Sequence, residues 1–328
     1  MQPLIEVKGL KKHFPVRATF FSRSGGIVRA VDDIDFGIME NETLGLVGES
    51  GCGKTTVARL LLGIVEPTAG EIKFEGRDIV NLDEETMRQE VRPKMQIVFQ
   101  DYSASLNPRK TVRQILSRPF QLQKMDSEEI DAQVKTLLEA VSLSPPEIYI
   151  DRFPHEFSGG QRQRINFARA LALKPVFIAC DEPVSALDMS VRAQILILMK
   201  KLKEAYNLTY LFITHDLSVV RSLCDRVAVM YMGDIVEVGK TDDIFNDSLH
   251  PYTSAMLSAT PIPNPTRART RKQFILEGDI PNPLELPPGC KFHTRCRDAI
   301  PECSSKAPQL VDVGNGRKVA CLVCAQAN

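Results

Sequence analysis

Short apolar segments and longer amphipathic segments alternate along the first 250 residues of the chain. The segments "TLGLVG" (43–48) and "VFIACD" (176–181) are continuous apolar runs, and such runs predict buried strands. "KTTVARLLLGI" (54–64) and "VRAQILILMKKLKEAY" (191–206) have the spacing of helices with one buried face. This strand–helix rhythm predicts an α/β fold with a mostly parallel sheet and helices on its faces. The alternation of "LIEVKGLKKHF" (4–14) predicts an edge strand.

Two stretches depart from this rhythm. Residues from about 102 to 173 are helical in pattern, with polar stretches and proline breaks, and predict a helical subdomain inserted into the α/β core. After about residue 250 the chain becomes rich in proline and poor in apolar periodicity. We therefore expect one domain over 1–250 and a small Cys/Pro-rich extension over 251–328. That extension has too little hydrophobic core to fold without a stabilising cross-link such as a disulfide or a bound metal.

Composition narrows the classes of protein that fit. The 328 residues are 43% hydrophobic, and 41 basic residues balance 41 acidic ones, which argues against general capture of nucleic acid. No window approaches the roughly 18 apolar residues of a membrane span. The first residues also lack the long apolar core of a signal peptide. We expect a cytosolic protein that reaches a membrane only through partners.

The stretch "GESGCGKT" matches the phosphate-loop pattern G-x-x-x-x-G-K-[ST]. It follows a predicted strand and opens a predicted helix, which is the context that the mechanism needs. The glycines would let backbone N–H groups face phosphate oxygens, Lys54 would reach the outer phosphates, and the Thr55 hydroxyl would ligate Mg²⁺. The predicted nucleotide-binding residues of this loop are Gly48, Glu49, Ser50, Gly51, Cys52, Gly53, Lys54, Thr55 and Thr56. Cys52, near a helix start and Lys54, is expected to favour the thiolate.

Two adjacent carboxylates follow the apolar strand "VFIAC". Asp181 can orient Mg²⁺ or its water, and Glu182 can accept a proton from an attacking water. The alternative is an ordinary acidic strand end at a surface turn. The phosphate loop upstream favours the first interpretation.

A second glycine-rich turn, "EFSGGQRQRI" (156–165), leads into a second helix. Either the chain binds two anions, or this turn serves a nucleotide held mainly by another molecule. The ordered set "GESGCGKT", "VFQD", "FSGGQRQR", "CDEPVSALD" and "ITHD" resembles the ATP-binding subunit of an ABC transporter. The resemblance implies a P-loop ABC cassette with an antiparallel β subdomain. It also implies two subunits stacked head-to-tail, with each ATP between the phosphate loop of one and the "SGGQ" turn of the other.

The same resemblance assigns the remaining roles. The turn formed by Ser158, Gly159, Gly160 and Gln161 would contact the γ-phosphate of the partner's ATP. Gln100 would touch Mg²⁺ and the attacking water, and Asp188 would cross the dimer interface. His215 would hydrogen-bond the γ-phosphate, and Phe14 would stack on adenine. Catalysis is thus expected from Glu182, His215 and Gln100, and Mg²⁺ binding from Thr55, Gln100 and Asp181.

The tail resembles the C-terminal extension of dipeptide/oligopeptide importer ATPases, and the whole chain resembles their second, F-type subunit. The resemblance implies a paralogous ATPase partner, two transmembrane permease subunits, a periplasmic or extracellular solute-binding protein and a place on the cytoplasmic face of the membrane. Related systems import nickel, antibiotics or sugars, so these cargoes stay open. An ABC ATPase of DNA repair or translation and an inactive regulatory subunit are the rival interpretations. Long coiled coils and basic arms are missing from the sequence, whereas Glu182 and His215 are present.

Five of the eight cysteines crowd the tail, and in a reducing compartment this suggests a metal before disulfides. Cys290, Cys296, Cys303 and Cys321 are the expected ligands of a [4Fe–4S] cluster, as in the resembling importers. Zinc and free thiols are the alternatives. Cys321 and Cys324 form a C-x-x-C pair, so either could be the fourth ligand.

Overall fold

The computed structural model describes residues 2–16, 25–101, 105–259 and 278–324. The chain divides into two compact units. The first comprises Met1–Met39, Thr43–Val80 and Thr214–Asn328, and the second comprises Glu40–Glu42 and Asn81–Ile213. Residues 17–24, the first residues of the predicted helical subdomain (102–104) and residues 260–277 of the predicted extension lie outside the described residues.

The first unit contains a four-stranded antiparallel sheet in the order β2-β1-β4-β5. Its strands are β1 (Ile5–Val16), β2 (Gly26–Ile38), β4 (Ala69–Phe74) and β5 (Arg77–Asp78). The prediction of an edge strand at 4–14 was wrong, because β1 pairs with β2 on one side and with β4 on the other. Alternation reveals that one face of a strand is buried, but it carries no signal for how many edges are hydrogen-bonded.

A second set of strands in the first unit follows the order β11-β12-β10-β9-β3. These are β3 (Thr43–Val47), β9 (Arg226–Tyr231), β10 (Asp234–Lys240), β11 (Val311–Asp312) and β12 (Lys318–Val319). β3 and β9 run parallel, and β9 and β10 form an antiparallel hairpin. The predicted buried strand at 43–48 is confirmed, since every residue of β3 is buried.

The α-helices described in the first unit are α1 (Lys54–Leu61), α7 (Leu217–Leu223), α8 (Thr241–Asn246) and α9 (Pro251–Ala259), and short 3-10 helices lie at His293–Arg295 and Pro301–Ser304. The C-terminal extension belongs to this same unit. Its strand β12 pairs with β10, and Phe292 and Val319 are almost completely buried. The extension therefore contributes a short strand and buried apolar side chains to this unit.

The second unit contains three parallel strands in the order β8-β7-β6. Along the chain, helices precede β6 and connect β6 to β7 and β7 to β8. The strands are β6 (Met95–Val98), β7 (Phe177–Asp181) and β8 (Thr209–Thr214). The described α-helices are the short α2 (Glu84–Thr86), α3 (Val112–Leu122), α4 (Ser127–Ala140), α5 (Gly159–Leu171) and α6 (Met189–Tyr206). A π-helical turn follows α2 at Met87–Val91, and short 3-10 helices lie at Pro146–Ile148 and Pro154–Glu156. Between β6 and β7 the described elements are helical, as the polar pattern of that stretch predicted.

Two of these helices show why the sequence forms them. Thr111 caps α3 in a reciprocal capping box with Gln114. α6 buries Ile195, Leu198, Met199 and Leu202 along one stripe and is capped at its C-terminus by Asn207, which adopts the left-handed conformation. Over the residues that the structure describes, none of the helices combines the length and the apolarity that a bilayer crossing needs.

Candidate nucleotide-binding site

The phosphate loop connects β3 to α1, and two of its glycines are required by close backbone contacts. A Cβ on Gly48 would lie 2.2 Å from the carbonyl oxygen of Met230, and one on Gly53 would lie 2.0 Å from that of Ala30. Gly53 also has φ +113°, which side chains rarely permit. The loop is thus pressed against neighbouring backbone and admits no side chain at either position.

Helix α1 begins without a side-chain cap, because its N-cap residue is Gly53. Ser50 and Gly51 in the loop are exposed, and Thr55 and Thr56 in the first turn are half-buried. The first N–H groups of a helix have no intrahelical partner, and they carry the positive end of the helix dipole. An uncapped helix start beside an exposed glycine loop fits a phosphate group.

Lys54 is buried at the start of α1, where its Nζ donates to the carbonyl oxygens of Gly48 and Glu49, each at 2.8 Å. Carbonyl oxygens carry only partial negative charge, so they compensate a buried ammonium group incompletely. A phosphate oxygen would provide the full opposite charge. The geometry agrees with the role predicted for Lys54.

The expectation of a reactive Cys52 thiolate is wrong. Cys52 is 3% exposed, and burial raises the pKa of its thiol although Lys54 Nζ lies 3.7 Å from its Sγ. Desolvation of the thiolate outweighs the attraction of the ammonium group. Cys52 is therefore a packed thiol of the loop.

Glu49, one of the predicted nucleotide-binding residues of the loop, is held by two residues from beyond position 250. Its carboxylate accepts from Arg295 Nη1 and Nη2, at 3.0 and 3.2 Å, and its backbone N–H donates to the Tyr252 hydroxyl at 3.0 Å. The motif reasoning missed both contacts. The sequence contains no local signal for them, because 246 positions separate Glu49 from Arg295.

Two further predicted residues lie in the first unit. His215 directly follows β8 and is exposed, ahead of α7, whose N-cap Asp216 accepts from the Ser218 N–H. Phe14 lies in β1 with 39% of its surface exposed and with Lys12 Nζ 5.1 Å from the centre of its ring. An exposed aromatic face is what stacking on a base requires.

In the second unit the structure brings Gln100 and Glu182 together, since Gln100 Nε2 donates to Glu182 Oε2 at 3.0 Å. Glu182 follows β7 with φ +45°, a left-handed conformation that is strained for a residue with a side chain. Its backbone N–H donates to the carbonyl of Ile213. Asp181, the last residue of β7, is 3% exposed. The adjacent carboxylates thus have different surroundings, as their separate predicted roles require.

The second glycine turn is built as a helix cap. The Ser158 hydroxyl accepts from the Gln161 N–H at 3.3 Å, and Gln161 Oε1 accepts from the Ser158 N–H at 3.0 Å. Ser158 is exposed, Gly159 is half-buried, and Gly160 is buried where a Cβ would lie 2.4 Å from Val191 Cγ1. The turn therefore leaves Ser158, at the start of α5, exposed to its surroundings.

Asp188 is the N-cap of α6, where it accepts from the Val191 N–H at 3.0 Å and the Ser190 hydroxyl at 2.7 Å. These bonds, the one from the Val191 N–H first, lower the pKa of its carboxyl group. Asp188 is exposed, so its capping role leaves its outer surface accessible.

The tail cysteines do not form a metal site in this structure. Across the described part of the chain, no three His, Cys, Asp or Glu side chains are grouped so that they could hold a metal ion. Burial raises the pKa of Cys290 to about 11 and also raises that of Cys296, with smaller contributions from neighbouring tail cysteines. Hydrogen bonding from Cys324 lowers the pKa of Cys321. The thiols are thus neighbours, but they do not present a ligand set for the predicted cluster.

Comparison with known proteins agrees with this geometry. The ABC transporter family model matches residues 31–185, and the model of the oligopeptide/dipeptide transporter C-terminal region matches residues 236–303. The chain is 48% identical to the oligopeptide transport ATP-binding protein AppF of Bacillus subtilis (strain 168), over 98% of this chain and 97% of that protein. It is 47% identical to the probable peptide ABC transporter ATP-binding protein y4tS of Sinorhizobium fredii, over 99% and 91%.

Solved structures give the same picture. The ATP-binding cassette MJ0796, in a dimeric post-hydrolysis state bound to ADP and Pi, covers 72% of this chain with 98% of its own length, at a TM-score of 0.63 and 28% identity. The cbiO1 protein of Clostridium perfringens, part of the ABC transporter complex cbiONQ, covers 75% with 92% of its length, at a TM-score of 0.65 and 25% identity. The chain therefore belongs to the ABC transporter family and carries that family's oligopeptide/dipeptide transporter C-terminal region.

Proposed function

We propose that this chain is the ATP-hydrolysing subunit of an ABC importer for dipeptides or oligopeptides. The observation that carries the proposal is the 48% identity to an oligopeptide transport ATP-binding protein over nearly the full length of both chains. The match of the C-terminal region to the oligopeptide/dipeptide transporter model supports the cargo class. The glycine loop, the start of α1 without a side-chain cap and the buried Lys54 support the binding of ATP.

We propose that the predicted site residues bind and polarise a nucleoside triphosphate. Lys54 and the first N–H groups of α1 meet the phosphates, and Glu182, oriented by Gln100, accepts a proton from the attacking water. The oxygen donors of Thr55 and Asp181 suit Mg²⁺, which keeps several waters and phosphate oxygens among its ligands. When bound, Mg²⁺ would neutralise charge on the phosphate oxygens.

We propose further that a second ATPase subunit, a paralogue, completes each ATP site. The exposed Ser158 at the start of α5 supports this role, because an accessible helix N-terminus attracts a phosphate that another chain holds. His215 would hydrogen-bond the γ-phosphate, and Asp188 would lie at the interface between the subunits. The similarity to a cassette solved as a dimer supports the same arrangement.

The proposed assembly includes two transmembrane permease subunits, a solute-binding protein outside the membrane and a place for this chain on the cytoplasmic face. Nickel, antibiotic peptides and sugars are the alternative cargoes, and nucleic acid is not a proposed partner. A decisive assay is uptake by proteoliposomes that contain the assembled transporter and its binding protein. We expect ATP-dependent uptake of labelled oligopeptides. Uptake of nickel or a sugar with no uptake of peptides would overturn the cargo proposal.

The [4Fe–4S] cluster on Cys290, Cys296, Cys303 and Cys321 stays a prediction that the arrangement of the described side chains does not support. Its support is chemical, since four thiols lie in a short segment of the tail. Purification without oxygen tests this prediction, since a bound cluster would make the protein brown and iron would be found in it. A colourless anaerobic preparation without iron would end this prediction.

The catalytic part of the proposal is tested by Glu182→Gln. Loss of the general base should lower turnover by about 10²-fold or more and leave ATP affinity nearly unchanged. Turnover of the assembled transporter and ATP affinity by calorimetry are the two measurements. Glu204→Gln, an exposed acid on α6, is the matched control and should hydrolyse ATP at the normal rate. Normal turnover by Glu182→Gln would remove Glu182 from this role.

A further inference from the structure

A single residue of the phosphate loop, Glu49, is fixed at three of its groups. Its N–H donates to the Tyr252 hydroxyl, its carbonyl oxygen accepts from Lys54 Nζ at 2.8 Å, and its carboxylate accepts both Nη groups of Arg295. Lys54 is thus linked through Glu49 to two residues of the C-terminal region. A shift of Glu49 would shift an anchor of the lysine that binds phosphate.

The two C-terminal residues are themselves rigidly placed. Tyr252 is fully buried in α9, and the Arg295 side chain is only 6% exposed. The ring of Phe292, three residues before Arg295, packs 5.2 Å from that of Tyr231 and 5.4 Å from that of Tyr252. Packed aromatic rings of this kind hold their neighbours in one conformation.

A lysine anchors the same segment independently. Lys291 Nζ donates to Asp32 Oδ2 at 3.0 Å, to the Met232 carbonyl at 3.0 Å and to Asp234 Oδ1 at 2.6 Å. None of these three acceptors belongs to the phosphate loop. The segment 291–295 therefore has one anchor at Lys291 and a separate contact with the phosphate loop at Arg295. The two attachments can be tested separately.

The ion pair has an electrostatic consequence for the nucleotide. Glu49 places a carboxylate inside the proposed phosphate-binding loop, and like charges that lie close together repel each other. The two Arg295 bonds pair this carboxylate with a fixed positive charge. Without Arg295, an unpaired anion would remain beside the phosphates. Arg295 therefore both positions the loop and removes a repulsion.

We propose that the C-terminal extension sets the ATP affinity of the phosphate loop, with Arg295 and Tyr252 as positioning residues that act through Glu49. This inference rests on the proposed binding of ATP. It gives the extension a direct effect on the first step of the ATP cycle. Any partner or modification that displaces residues 291–295 would weaken ATP binding through the same contacts.

The test measures the Kd of the full-length chain for Mg·ATP by calorimetry. Arg295→Gln should raise Kd about tenfold, which corresponds to about 1.4 kcal/mol. Adding Glu49→Gln should recover part of that loss, because it removes the unpaired charge but does not restore the two bonds that position the loop. Raising the salt concentration should also reduce the defect of Arg295→Gln, because salt screens the repulsion. Loss of folding alone would produce neither the recovery nor the salt dependence.

Three further variants separate positioning from stability. Tyr252→Phe, which removes the acceptor of the Glu49 N–H, should raise Kd by roughly threefold to fivefold. Arg297→Gln is the matched control, since this exposed arginine pairs with Asp298 and should leave Kd unchanged. Lys291→Met should lower the melting temperature, and Glu49→Gln should not repair that loss. In the assembled transporter, Arg295→Gln should raise KM for ATP more than it lowers kcat.

The inference is overturned if Arg295→Gln binds ATP as tightly as the unaltered chain, or if Glu49→Gln does not reduce its defect. The unaltered chain is the reference that keeps the two proposals apart. If it fails to bind Mg·ATP, the proposed function fails. If it binds ATP and the Arg295 and Tyr252 variants bind equally well, only the role of the extension fails.

Discussion

The turn before α1 and the turn before α5 both place glycines at the start of a helix, but the glycines serve different purposes. At Gly53 the backbone has φ +113° and lies against the Ala30 carbonyl, and no side chain caps the helix. At Gly159 and Gly160 the backbone is helical, and Ser158 caps the helix in a capping box with Gln161. Glycine is favoured at position 160 because the Val191 side chain packs against it.

The two turns also differ in what supports them. The turn before α5 is held by a capping box within four consecutive residues, from Ser158 to Gln161. The turn before α1 is held by contacts from Tyr252 and Arg295, more than 200 positions away. A locally capped turn keeps its shape wherever its helix forms, whereas the phosphate loop depends on the rest of its unit. The following experiments test this difference, from the largest expected effect to the smallest.

Gly53→Ala should abolish measurable ATP binding, with an affinity loss of more than about 100-fold. The new Cβ would meet backbone, and backbone cannot move aside as a flexible side chain can. Calorimetry with Mg·ATP checks this. Gly314→Ala is the control, since this exposed glycine lies outside the phosphate loop and no heavy atom of the described residues lies within 4 Å of a Cβ there. Its φ of +95° should cost about 1 to 3 kcal/mol of stability and leave ATP affinity unchanged. Tight ATP binding by Gly53→Ala would contradict the backbone argument.

Acid should weaken the long-range support of the phosphate loop through His250. Burial lowers the pKa of His250 to about 3, and its Nδ1 accepts from the Tyr252 N–H. The unfolded chain binds this proton near pH 6.5 and the folded chain does not. Stability is therefore lost as the pH falls below 6.5, by about 2 kcal/mol at pH 5.

His250→Asn tests that dependence, since its side-chain oxygen can still accept from Tyr252. Urea unfolding at pH 7 and pH 5 should show that the variant loses about 2 kcal/mol less than the unaltered chain between the two values. The nearby Glu237 carboxylate, which accepts from the His250 N–H and Arg317, is common to both proteins. An identical pH dependence in both would show that His250 is not the titrating group.

Gly160→Ala should cost about 1 kcal/mol of stability, because an overpacked methyl group is partly offset by the better helix propensity of alanine. The obstacle is a side chain, so Val191→Ala in the same chain should remove most of the cost. Urea unfolding of the single and double variants measures it. No recovery in the double variant would mean that Gly160 is required for its backbone after all.

Thiol alkylation at neutral pH should have the smallest effect. Cys52 is buried and the pKa of its thiol is raised, so iodoacetamide at pH 7.5 should leave ATP turnover unchanged. Peptide mapping by mass spectrometry should find Cys52 unmodified in the folded chain and modified after unfolding in urea. Rapid modification of Cys52 in the folded chain would show that the loop opens, as an unsupported loop would.

The predictable part of the site is the part that local sequence controls. The phosphate loop, the strand ending at Asp181 and the capped turn at Ser158 all follow from residues within a few positions of one another. The errors arose where distant residues decide. β1 gained a second neighbour from β4, and the pKa of Cys52 followed the burial of its loop more than the charge of Lys54. The tail cysteines are close in sequence, but the fold does not group them as metal ligands.

The sequence by itself determined the order of strands and helices, both glycine turns and the chemistry of the loop, because backbone preferences, caps and hydrophobic periodicity act over a few residues. Only the tertiary structure decided that Arg295 pairs with Glu49 and that Tyr252 accepts from its N–H. Contacts between residues 246 positions apart depend on how strands and helices pack. The sequence around either residue therefore does not reveal which distant residue it contacts.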